Sequence, residues 1–138
     1  MTEDQRLRQI LTETRVIALV GWSPKPDRPS HGVARYLVAR GYHVIPVNPG
    51  QAGVAALGET VRAALSDIKE PVDMVDIFRR SEEVGAVVDA ALAALPGLKT
   101  IWMQLGVVDE AAAQRARTAG VEVVMNRCPA IEISRLGL

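Results

Sequence analysis

Short apolar runs alternate with stretches of helical periodicity along the whole chain. The first, residues 16–23, is rich in β-branched residues, reaches Gly21 and reads as a buried strand. Three prolines within residues 24–29 then forbid both helix and central strand, so the chain leaves the sheet there. Ser30 is placed to cap the next helix, whose apolar positions Val33, Ala34, Leu37 and Val38 recur at helical spacing before Gly41. Residues 42–48 predict a second strand, with Pro46 expected at its end region or in a bulge, because proline cannot donate to a ladder. Residues 72–78, 100–105 and 121–125 predict strands three, four and five. Helices are expected over residues 2–14, with Leu7, Ile10, Leu11 and Thr14 on one side, and over 81–95 and 109–119. A shorter helix is expected over 59–66; residues 51–58 are small and flexible, and the tail from Asn126 gives no clear element.

Strands and helices alternating at this spacing imply an α/β fold with a parallel sheet covered on both faces. Right-handed crossovers and doubly wound order make it a Rossmann-like three-layer sandwich. Its five-stranded parallel sheet has the order 3-2-1-4-5, in one domain over residues 1–138. Ligands of such sheets bind beyond the carboxyl ends of the strands, near the switch between strands one and four. Any site is therefore expected on the loops at 21–30, 48–53, 78–81, 104–108 and 126–130.

Composition narrows the partners. Sixteen basic residues balance sixteen acidic ones and aromatics make up 4%, which gives neither a field for nucleic acid or an anionic membrane nor a surface for stacking bases. No apolar run approaches the roughly 18 residues of a membrane span, and the charged first residues lack a signal-peptide core. A single cysteine excludes an internal disulfide framework and fits a reducing compartment. A cytoplasmic protein with a small-molecule ligand is expected, and no nucleic-acid or membrane partner.

The candidate chemistry lies on the predicted ligand edge. Lys25 and Arg28 sit beside a helix start, where cations and free N–H groups together form an anion site; the alternative is a solvated polar loop. There is no Gly-x-Gly-x-x-Gly, and Asn48 stands where a dinucleotide fold usually has an acid for the ribose. Arg79 and Arg80 could reach a phosphate or pair with Glu82 and Glu83. Asp73 and Asp76 are expected to bond to loop N–H groups. His31 and His43 match no metal-ligand spacing, so no metal is expected. Cys128 follows Arg127, a cation able to lower a thiol pKa, but packing is the simpler reading.

In combination the motifs carry a resemblance. Gly21-x-Ser23-Pro24, Arg28, and Val33-x-x-Tyr36-Leu37-x-x-x-Gly41-Tyr42-x-Val44-x-Pro46-Val47-Asn48-Pro49 look like the small single-domain CoA-binding proteins. So do Val75-Asp76-Ile77-Phe78-Arg79-Arg80, Ile101-Trp102-x-Gln104-x-Gly106-Val107 and Asn126-Arg127-Cys128-Pro129-x-Ile131-Glu132. These proteins are similar to the CoA-binding domain of succinyl-CoA synthetase α-subunits. The resemblance implies coenzyme A or an acyl-CoA as ligand and no catalysis by this chain alone, since the synthetase reaction uses a phosphorylatable histidine on a further domain. It implies that Gly21, Trp22, Ser23 and Arg28 hold the pyrophosphate region, that Asn48 and Pro49 border the adenosine, and that Ile77, Phe78 and Arg79 form the neighbouring wall. Lys25, Gln104 and Gly106 join them as candidates on the same edge. Trp22 stands where the family leads one to expect a small residue, and Asn126 where it leads one to expect Asp. Residues 48–53 are uncharged, which predicts a solvent-facing 3′-phosphate. The rival readings are an NAD(P)-binding redox protein, disfavoured by the missing glycine motif and Asn48, and an interaction module with a relic nucleotide pocket, disfavoured by Lys25, Arg28 and Arg79.

Overall fold

The computed structural model describes residues 1–138. Five parallel strands, β1 (Val16–Val20), β2 (His43–Val47), β5 (Met74–Ile77), β6 (Thr100–Met103) and β7 (Glu122–Val124), form the central sheet. A separate hairpin is made by β3 (Ala55–Ala56) and β4 (Glu59–Thr60). Alternation along the strands divides the apolar side chains between two cores. Ala18, Val75, Ile77 and Ile101 face α3 (Ser81–Ala94) and α4 (Glu110–Thr118). Ile17, Leu19, Met74 and Trp102 face α1 (Glu3–Glu13), α2 (Pro29–Ala39) and α5 (Pro129–Leu136). This is the Rossmann-like three-layer sandwich expected from the sequence.

The strands lie in the order β2-β1-β5-β6-β7. Beyond β2 a single parallel bridge, Val47 to Arg62, carries the chain along the outer edge. Asn48 N–H donates to Arg62 O at 2.9 Å, and Arg62 N–H to Pro46 O at 3.0 Å. That bridge occupies the place of strand three in the 3-2-1-4-5 pattern. The segment expected in that place, around Met74–Ile77, lies instead against β1 (Ala18 opposite Val75), and the last two strands each sit one place further out. The switch point therefore falls between β1 and β5.

Local corrections have local causes. Pro46 sits in regular register opposite Leu19, with no bulge. Its carbonyl faces the outer edge, so its missing N–H would have pointed there too and no bond to β1 is lost. Residues 59–66 do not form a helix. Leu57 and Gly58 take positive φ, 58° and 75°, in the hairpin turn, Val61 is buried, and only the stretch Leu65–Asp67 turns as a 3-10 helix. Pairing with β2 there outweighs helix propensity. Arg28, not Ser30, holds the cap position of α2, with Pro29 at its first turn. The tail forms α5, with Pro129 in its first turn and Gly137 left-handed at its end, and it packs against α1 and α2. No helix is long and apolar enough to cross a membrane.

Candidate functional site

Where β1 ends, the chain must turn sharply beneath its neighbour. Gly21 has φ 91°, and a Cβ there would overlap the carbonyl oxygen of Phe78 at the end of β5, so only glycine fits. The loop beyond is tied to the first turn of α2. Ser23 N–H donates to the buried Ser30 Oγ at 3.0 Å, and His31 Nδ1 lies 3.0 Å from Ser23 O. The Trp22 indole is 4% exposed, packed in the α1/α2/α5 core and stacked on His31, so its bulk goes inward.

Two adjoining hollows run along this edge and share Pro29, Phe78, Arg79 and Arg80. One, about 410 Å³, is lined also by Gly21, Trp22, Ser23, Lys25, Arg28 and Asn48. The other, about 460 Å³, continues over Gln104, Leu105, Gly106 and Val107. Ten of the twelve sequence candidates thus meet in one cleft. The remaining two line neither hollow: Ile77 is wholly buried in the α3/α4 core, and Pro49 is an exposed residue opening a 3-10 turn. A third hollow, about 380 Å³, lies at the opposite end of the strands, and two of its lining charges, Arg6 and Glu122, are paired at 2.8 Å.

The charges of the cleft divide sharply. Lys25 and Arg28 are exposed, and neither forms an ion pair with a carboxylate. They stand beside the N-terminus of α2, which has no side-chain cap and no acid in its first turn. Arg79 is paired with Glu83 at 3.0 Å, and Arg80 lies 3.7 Å from both Glu82 and Glu83. The bond from Arg79 holds the Glu83 carboxyl below its usual range. Glu83, a lining residue not foreseen as part of the site, was signalled by its i+4 spacing from Arg79.

Other polar groups keep the edge in shape. The Asn48 amide donates to Trp22 O at 2.7 Å and accepts from Gly50 N–H at 2.9 Å, so it joins the loops after β1 and β2. Asn126, at φ 58°, accepts from Gly106 N–H at 2.7 Å through Oδ1, a bond that Asp would make in the same way. Asp73 accepts from the N–H groups of Arg15 and Val16, as expected. Asp76 does not bond to a loop: it is fully buried on the α1/α2/α5 face of β5, and neither oxygen has a partner. Burial pushes its carboxyl well above the usual range. Trp22 Nε1 and Gln104 Oε1 are also buried without partners. Cys128, at the cap position of α5, is 4% exposed and packed.

At the outer edge of β2, His43 Nε2 lies 2.6 Å from Glu59 Oε2, and Glu70 completes a group whose ligand atoms lie within 4.8 Å of one another. Arg62 bonds to both carboxylates there. The hydrogen bond from His43, followed by that from Arg62, keeps Glu59 below its usual range.

Comparison with known proteins places the chain in a family. A family model described as a CoA binding domain matches residues 15–134. The protein YneT of Bacillus subtilis (strain 168) is 38% identical over 122 residues, 88% of this chain and 87% of YneT. The structure of cell-free ID.343 from Thermus thermophilus has TM-score 0.92 at 38% identity, covering 98% of this chain and 99% of that one. Acetyl-coenzyme A synthetase 1 of Ca. Korarchaeum cryptofilum, in complex with phosphate and ADP, has TM-score 0.67 at 26% identity; 79% of this chain matches 25% of that one.

Proposed function

The chain belongs to the family of CoA-binding domains, and on that premise we propose that it binds coenzyme A, free or acylated, in the cleft described above and performs no chemistry of its own. The observation that carries this reading is the pair of unpaired cations, Lys25 and Arg28, beside the uncapped N-terminus of α2. A pyrophosphate seated there meets the Ser30 N–H, which no carbonyl takes up in the first turn of α2, the positive end of the helix dipole and two positive side chains at once. Gly21 keeps the floor flat enough for close approach, while Ser23, Ser30 and His31 hold the loop in place before the ligand arrives. Asn48 and Pro49 border the adenosine side. Phe78, Leu105 and Val107 give the second hollow the apolar lining that a pantetheine arm requires, with Arg79, Gln104 and Gly106 around them. Ile77 supports this wall from the core beneath.

A thermal-shift panel of CoA, acetyl-CoA, NAD, NADP and ATP tests the proposal. A ligand at a hundred times its Kd stabilises the native state by about 2.7 kcal/mol, a rise of about 10 °C for a domain of this size. CoA and acetyl-CoA are expected to give that rise. A rise with NAD or NADP and none with CoA would overturn the reading.

A further inference from the structure

In a nucleotide-binding sheet the residues that end the second strand meet the adenosine ribose. A carboxylate there selects a bare ribose diol, and a cation selects a ribose phosphate. This chain offers neither. Asn48 is neutral, and its donor and acceptor ends are both engaged with Trp22 and Gly50. Residues 48–53 carry no charge.

The cation brought closest along the backbone is Arg62, whose main chain pairs with Pro46 and Asn48. Its guanidinium is turned away and occupied. It donates to Glu59 Oε1 at 3.0 Å, to Glu70 Oε1 and Oε2 at 3.2 and 3.0 Å, and to Thr60 O, with its side chain 19% exposed. Arg79 and Arg80 are engaged by Glu82 and Glu83, and Lys25 and Arg28 stand at the α2 end. A 3′-phosphate carries about −1.5 to −2 charge. Among residues 48–53 it meets no cation and no anion, and in solvent it is screened within about 10 Å at 0.1 M salt.

From this juxtaposition we infer that the site takes coenzyme A without regard to phosphorylation of its ribose, so that dephospho-CoA is a ligand on a par with CoA. The inference rests on the CoA reading above and sharpens it: recognition lies in the pyrophosphate and the pantetheine arm, not in the 3′-phosphate.

The test is calorimetric titration of the full chain with CoA and with dephospho-CoA, at low and at high salt. The two affinities are expected to agree within tenfold at both salt concentrations, a difference below about 1.4 kcal/mol. Arg62→Ala is expected to leave their ratio unchanged, and Lys25→Ala to weaken both ligands equally. A hundredfold preference for CoA that shrinks with salt would overturn the inference while leaving the CoA reading intact. So would a loss of CoA affinity alone in either variant, which would identify the side chain that reads the phosphate. Binding of neither ligand to the wild type would overturn the CoA reading and this inference together.

Discussion

The wall of the cleft formed by the β1–α2 loop and the end of β2, with the outer edge of the sheet behind it, each have basic side chains nearby, in opposite states. On the first, Lys25 and Arg28 have no acidic partners and adjoin a helix N-terminus with nothing capping it. On the second, Asn48 is satisfied at both ends of its amide, and Arg62, on the outer edge behind it, is bound by two glutamates. A cation already paired gains little by exchanging one anion for another, whereas a free one gains the full charge-assisted bond. The difference teaches that counting basic residues near a cleft is a poor guide to ligand binding; what counts is which of them the fold leaves uncommitted.

The floor shared by the two walls gives the largest expected effect. Gly21→Ala combines a left-handed backbone with an overlap against the Phe78 carbonyl. It is expected to lower unfolding stability by about 2–5 kcal/mol, read by denaturant titration. A variant as stable as wild type would show that the floor can shift. Asp76, on β5 beneath the cleft, is expected to appear in the pH dependence of stability. Its folded carboxyl titrates far above the unfolded one, so the folded state binds the extra proton between those values. Its contribution is fully present below the ordinary carboxylate range and is lost as the pH rises from about 4 upward. Asp76→Asn is expected to flatten that decline; equal slopes in wild type and variant would indicate a charge compensated in another way.

The walls themselves come next. Arg28→Ala is expected to weaken CoA by about 1.5–3 kcal/mol, more than tenfold, with folding stability unchanged because the side chain is exposed. Arg79→Ala is expected to cost less, about 1 kcal/mol of binding or below, since Glu83 already holds its guanidinium. If calorimetry reverses that order, the distinction between free and committed cations fails. Arg62→Ala is expected to have the smallest effect on binding, within twofold, and to lower stability by about 1 kcal/mol through the lost pairs.

Much of this was legible in the chain because the signals were local. The apolar run before Gly21, the three prolines after it and the periodicity of α2 place the strand, turn and helix of the phosphate-binding unit. What escaped depended on distant contacts. The propensity of residues 59–66 favours helix, yet backbone bonds that no local pattern encodes tie Val61 to Gly53 and Val54 and draw Arg62 to the edge of β2. The Val47–Arg62 bridge fills the outer place in the sheet, and Met74–Ile77 lies beside β1. Ser30 carries the sequence mark of a cap, but its hydroxyl serves Ser23 seven residues back. Among the site candidates, position at a strand end brought ten residues to the cleft, but it could not reveal that Ile77 points into the opposite core. Nor could it decide whether Arg79 and Arg80 were free, since that depends on side-chain geometry as well as spacing.

The central claim is that the free cations of the first wall hold the pyrophosphate of coenzyme A. The most direct test is to titrate wild type with CoA and with NAD in a calorimeter at low and high salt. The account predicts saturable binding of CoA at one site, weakening as salt rises, and NAD at least tenfold weaker because the second hollow suits a pantetheine arm and the second wall lacks a ribose-binding acid. NAD binding as tightly as CoA, or CoA binding that is absent, would contradict it.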